Sequence, residues 1–161
     1  MAHHSVKSGY HDLVERLNRF PQGAPPSELL NRILQILFTE KEASLVALLP
    51  IKPFSAKKAA RIWKVSLAEA EKTLECLAQK AILLDMIHGD RTFYVLPPPM
   101  AGFFEFSLMR LRGDIDQKLL SELFYQYLNV EEDFVRDLFG TGETQMGRVF
   151  VHEPALTEEN A

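Results

Sequence analysis

The stretch "SLAEAEKTLECLAQKAILLDMIHGDRTFYVL", residues 66–96, decides the fold. Ser66 with Glu69 three positions on is a capping box, so a helix starts there and runs to about Lys80. At 100° per residue Leu67, Ala70, Leu74, Leu77 and Ala81 fall on one stripe, which is the side this helix should bury. The runs "ILLDMI" and "RTFYVL" then flank "HGD", and Gly89-Asp90 suits a tight hairpin turn. Just upstream, Ser55 can cap a short helix over "AKKAARIW". Two helices a few residues apart, the second followed at once by a hairpin, have the order of a winged helix-turn-helix.

Outward from this stretch the pattern is mostly helical. Tyr10, Leu13, Leu17 and Phe20 recur at helical spacing, and "PQGAPP" breaks the chain after them. Ser27 can cap a second helix holding Leu30, Ile33, Leu34 and Leu37. "TEKE" at 39–42 is another capping box and opens a third helix through Leu45, Leu48 and Leu49. Pro50 and Pro53 bracket the next break. Beyond the hairpin, "LPPP" stops the strand. A Phe-rich helix follows, then helices over "DIDQKLLSELFYQYLN" and "VEEDFVRDLFG", and near the end "GRVFVHE" reads as a short strand with no neighbour in sequence.

The expected fold is therefore mainly α with a small β hairpin: a winged helix-turn-helix plus additional C-terminal helices and a short strand. The expected division is an N-terminal helix and linker over 1–26, the winged helix-turn-helix over 27–97, and a Phe-rich helical extension with a terminal strand over 98–161.

Composition narrows the function classes. A chain of 161 residues has room for one domain with a real core, or a small domain with an appendage. No apolar run approaches the roughly 20 residues that span a bilayer, so no membrane partner is expected. The N-terminus lacks the apolar segment of a secretory signal, and a cytoplasmic location is expected. One cysteine, Cys76, excludes an internal disulfide and a cysteine-only metal site. The net charge of −4 hides an asymmetry. Residues 52–94 carry eight Lys/Arg against five Asp/Glu, and residues 114–161 carry three against eleven.

The basic part coincides with the helix-turn-helix, so duplex DNA is one candidate partner. Lys57, Arg61 and Lys64 lie opposite Ala59, Ile62 and Trp63, where a first helix crosses the phosphate backbone. Lys72 and Lys80 on the second helix and Arg91 at the wing complete the candidate nucleic-acid contacts. The second helix is a poor base reader, because it has no Arg or Asn and carries Glu69, Glu71 and Glu75. A solvated basic face is the plainer reading of the same lysines. Cys76 falls on the outer face between Lys72 and Lys80, which marks it as a candidate redox thiol.

His11, His88 and His152 are scattered, with no metal-binding spacing. No phosphate loop and no nucleophile motif is present, so no enzyme activity is expected. Phe103, Phe104, Phe106, Phe124 and Tyr127 exceed what a winged helix of about 70 residues can cover. They are expected either to build a second layer on it or to form a partner surface, self-association included.

The order and spacing of "ELLNRILQILFTEKEASLVALLP", "SAKKAARIWKVSLAEAEKTLECLAQKAIL", "GFFEFSLMRL", "YLNVEEDFVRDLF" and "GRVFVHE" carry a resemblance over the whole chain. It resembles the N-terminal winged-helix region of prokaryotic 4Fe-4S ferredoxin-type proteins. The family's cluster-binding cysteines are absent, and Cys76 matches none of them. A cluster held by four thiolates cannot assemble on one, so no cofactor is expected unless a cysteine-bearing C-terminal region follows in a longer protein. The resemblance implies a non-catalytic interaction module associated with a ferredoxin-type domain or redox protein. A dimeric DNA-binding regulator is the alternative.

Overall fold

The structure is a computed structural model that describes residues 8–20 and 23–139. Among these the chain is mainly helical, with one small antiparallel sheet. The N-terminal helices start where the sequence supplies caps. Helix α1 (Gly9–Leu17) begins with the Ser8 hydroxyl accepting from the His11 N–H at 3.3 Å. At α2 (Glu28–Leu37) Ser27 accepts from Leu30 at 3.1 Å. The box at α3 (Glu40–Ala47) is complete: Thr39 Oγ1 accepts from the Glu42 amide, and Glu42 Oε2 accepts from the Thr39 amide.

After the Pro50–Pro53 break the chain forms β1 (Phe54–Ser55), α4 (Ala56–Trp63) and α5 (Leu67–Gln79), then the hairpin β2 (Leu84–His88) and β3 (Arg91–Val95). The strand order is β1-β3-β2, with Phe54 opposite Tyr94 and Met86 opposite Phe93. Gly89 turns the hairpin at φ +58°, in the left-handed region glycine enters without strain. The expected order of two helices followed by a hairpin is present. Strand β1, which no sequence pattern announced, adds a third strand to that hairpin.

Several local expectations change. Ser55 sits in β1 and makes no side-chain cap to α4. At α5 half the box forms: Ser66 Oγ accepts from the Glu69 amide at 3.2 Å, while the Glu69 carboxylate reaches the Ser66 hydroxyl rather than its amide. Ala70, Leu74 and Leu77 are buried as expected. Leu67 is 39 % exposed and lines the open cleft beside the hairpin. Ala81 lies beyond the helix at φ +56° and is half-buried.

The C-terminal part is a π-helical turn (Pro99–Phe103), α6 (Phe104–Met109), α7 (Gln117–Tyr125), a second π-helical turn (Gln126–Val130) and α8 (Glu132–Phe139). Helix α7 packs on α2, and α1 packs on α3. One continuous core results, running from Leu13 and Leu17 through Leu34, Trp63 and Leu77 to Leu120 and Phe134. Of the expected partner surface, Phe103, Phe104, Phe124 and Tyr127 are at most 4 % exposed and belong to this core. Their rings interlock: Phe103 meets Phe38 at 6.2 Å and Phe104 at 4.8 Å edge-on, and Phe104 meets Tyr127 edge-on at 6.2 Å and Phe124 at a tilt at 4.7 Å. The Tyr127 hydroxyl donates to the Pro25 carbonyl at 2.9 Å, so a polar tip is satisfied inside an apolar layer. Phe106 alone of the five is half-buried. The "GRVFVHE" segment lies outside the described residues.

Candidate interaction surface

Helix α4 presents its cations outward because its small residues face inward. Ala59, Ala60 and Trp63 are buried, and the Trp63 indole N–H donates to the Leu45 carbonyl at 2.8 Å, which fixes the rotation of the helix. Lys57, Arg61 and Lys64 are left exposed on the other side, with Lys58 beside them. Sequence reasoning passed over Lys58, although its spacing to Arg61 placed it on the same face. Lys64 ends the helix at φ 57°, in a left-handed conformation that closes α4 before α5 begins. Among the described residues no carboxylate pairs with Lys57, Lys58, Arg61 or Lys64.

Helix α5 carries three different faces around its axis. The buried face is Ala70, Leu74 and Leu77. One flank turns toward the hairpin and carries Glu71 and Glu75; with Asp90, Arg91, Lys57 and Tyr94 it lines an open cleft of about 620 Å³. Burial raises the Tyr94 pKa, and the nearby carboxylates of Glu75, Asp85 and Glu71 add to that shift. Arg91 thus shares the cleft with the carboxylates of Glu71, Glu75 and Asp90.

The end of α5 carries an ion pair. Lys80 Nζ lies 2.6 Å from Glu42 Oε1, and its side chain is 21 % exposed. The C-terminus of α5 is thereby tied to the capping box of α3 through Lys80. Burial pushes the Glu42 carboxyl up, but the Lys80 hydrogen bond and the Thr39 amide and hydroxyl outweigh it, and its pKa lies below the ordinary value. Lys72 is exposed on the outermost line of α5, near the exposed Cys76. Of the two lysines expected to flank Cys76, one is therefore engaged elsewhere. Among the described residues no group of three His, Cys, Asp or Glu is arranged to hold a metal ion. No described helix is long and apolar enough to cross a membrane.

One buried cation went unnoticed in the sequence. Arg16 is fully buried, with Nε donating to the Leu49 carbonyl at 3.0 Å and Nη2 to the Pro50 carbonyl at 2.7 Å. It closes the chain after α3, and its guanidinium lies 5.6 Å from the Phe20 ring centre. Its spacing within α1 between Leu13 and Leu17 was the available signal.

The surface is therefore split by sign: an open basic stripe on α4, and an acidic flank of α5 turned to the hairpin. Comparison with known proteins finds no match to a family model, to a curated protein or to a solved structure.

Proposed function

We propose that the chain is a non-catalytic winged-helix interaction module, and that its partner is a 4Fe-4S ferredoxin-type domain or redox protein. The observation that carries this reading is the juxtaposition of signs on one surface. Lys57, Lys58, Arg61 and Lys64 stand open on α4, while Glu71, Glu75 and Asp90 share the neighbouring cleft with Arg91. A nucleic-acid duplex presents one sign along its length and rewards only the basic stripe. A protein surface can change sign over one helix diameter and match both. The class of partner comes from the resemblance. The redox centre would belong to the partner, since this chain has a single cysteine.

Charge reversal separates this from the second reading, a dimeric DNA-binding regulator, which the open α4 stripe favours. Binding of a purified 4Fe-4S ferredoxin domain and of random duplex is measured for the parent chain, for Lys57→Glu with Arg61→Glu, and for Glu71→Lys with Glu75→Lys. On the proposed reading each pair of reversals weakens partner binding by roughly ten-fold, and the parent binds duplex weakly if at all. On the DNA reading the α4 reversals abolish duplex binding and the α5 reversals strengthen it. A parent chain that binds no ferredoxin domain and shows steeply salt-dependent duplex affinity overturns the proposal.

A further inference from the structure

One nearly buried polar group in the hairpin has no partner. Tyr94 stands in register with Phe54 on β1 and Asp85 on β2, and it is 6 % exposed. Among the described residues its hydroxyl has no hydrogen-bond partner, and it is not sealed in the core. A tyrosine buried this deeply usually finds one. Tyr94 instead lines two adjoining clefts. One is the cleft of about 620 Å³ beside the hairpin, and the other, of about 210 Å³, lies between Glu75, Gln79, Asp85 and Arg110. Glu75 and Tyr94 belong to the walls of both.

Three carboxylates act on that hydroxyl. Burial first, and then Glu75, Asp85 and Glu71, raise the Tyr94 pKa, so the phenol keeps its proton at neutral pH. Glu71 and Glu75 are one turn apart on α5, and Asp85 is on the strand that pairs with Tyr94. None of the three forms an ion pair with a described cation, although Lys57, Arg91 and Arg110 line the same clefts. The three are not arranged to converge on one metal ion. Acceptors spread over a helix and a strand suit a planar donor. A guanidinium carries five N–H groups in a fixed fork, whereas an ammonium gathers three donors at one point. Leu67 and Phe93 on the wall of the larger cleft offer apolar surface to a short alkyl chain. The volume falls in the range of small-ligand sites.

We propose that the Tyr94 cleft binds a guanidinium group, held by Glu71, Glu75, Asp85 and the Tyr94 hydroxyl, with its alkyl chain along Leu67 and Phe93. The group belongs either to a free alkylguanidinium or to an arginine side chain of another protein. This inference goes beyond the proposed function and does not depend on a ferredoxin-type partner.

The test is titration of the full chain with n-butylguanidinium, n-butylammonium and a blocked glycine–arginine–glycine tripeptide, followed by residue-resolved amide chemical shifts. n-Butylguanidinium is expected to shift the amides of Glu71, Glu75, Asp85 and Tyr94 saturably, and to bind at least roughly five-fold more tightly than n-butylammonium. Glu71→Gln with Glu75→Gln is expected to weaken it by roughly ten-fold. Tyr94→Phe is expected to weaken it by about three-fold while Trp63 fluorescence stays unchanged. Arg110→Ala, which removes the chain's own guanidinium from the second cleft, is expected to strengthen it. A tripeptide that binds as tightly as n-butylguanidinium assigns the group to an arginine side chain, and one that is excluded assigns it to a free molecule. The proposal is overturned by the absence of a saturable shift at the cleft, by n-butylammonium binding as tightly, or by an affinity unchanged in the double glutamate variant or weakened in Arg110→Ala.

Discussion

Glu42 holds two elements at once. Its carboxylate accepts from the Thr39 amide at 2.9 Å and from Lys80 Nζ at 2.6 Å, joining the start of α3 to the end of α5. Glu42→Gln keeps an acceptor for the cap and loses the ion pair, so it is expected to cost about 1 kcal/mol; Glu42→Ala loses both and is expected to cost about 2 kcal/mol. The folded pKa lies below that of the unfolded chain, so this stabilisation is fully present above about pH 4.3 and fades as pH falls through the folded value. Urea midpoints across acid pH should therefore show a flatter acid limb for Glu42→Gln than for the parent. Arg16 presents the opposite problem, a buried cation without a carboxylate. Burial first, and then Arg19, pulls its pKa down to about 10, so it is still charged at neutral pH. Arg16→Ala leaves the Leu49 and Pro50 carbonyls unmet and opens a hole in the core, with an expected loss of about 2–4 kcal/mol. Arg16→Lys keeps the charge and fewer hydrogen bonds, and should fall between Arg16→Ala and the parent in a urea titration followed by Trp63 fluorescence.

At the scale of elements, the end of α5 carries a correctable strain. The Ala81 amide donates to Ala78 and the Ile82 amide to Leu77, the paired bonds of a Schellman motif, with Ala81 itself at φ +56°. That conformation costs an L side chain about 1 kcal/mol that glycine does not incur. Ala81→Gly is thus expected to raise stability by about 0.5–1 kcal/mol, seen as a higher urea midpoint with an unchanged slope. The sequence read Ala81 as part of the buried stripe because periodicity extends a helix until a breaker stops it, and no glycine marked this end. The caps at Ser27 and Thr39 were legible because they are local side-chain chemistry. Strand β1 was not, since two residues carry no period and exist through pairing with β3 some 40 positions away. The α4 stripe was legible for the same reason as the caps. The Lys80–Glu42 pair was not, because its partners stand 38 positions apart.

For the whole molecule, the question is whether the helix-turn-helix and the C-terminal helices are separable. Sequence composition left open one domain or a small domain with an appendage, because Phe-rich segments look equally apolar whether they pack inward or wait for a partner. The contacts favour one unit. Phe103 lies against Phe38, Tyr127 hydrogen-bonds to Pro25, and α7 packs on α2, so the C-terminal helices cover the layer formed by α2 rather than their own. Burying each large aromatic contributes about 1.5–3 kcal/mol, and Phe103, Phe104, Phe124 and Tyr127 together outweigh the 5–15 kcal/mol net stability typical of a domain only when that net is small. A chain ending at residue 97 would uncover Phe38, against which Phe103 lies, and the face of α2 on which α7 packs. It is expected to lose cooperative unfolding, and to bind a hydrophobic dye that the full chain ignores. In the full chain, urea unfolding followed by Trp63 fluorescence in α4 and by far-ultraviolet circular dichroism should coincide in one transition. Tyr127→Phe should shift both curves equally, by about 1 kcal/mol, even though the mutated hydroxyl is 102 residues from its acceptor in sequence. Two separated transitions, or a residue-97 truncation as stable as the parent, would show that the helix-turn-helix stands alone and that the aromatic layer is an addition to it.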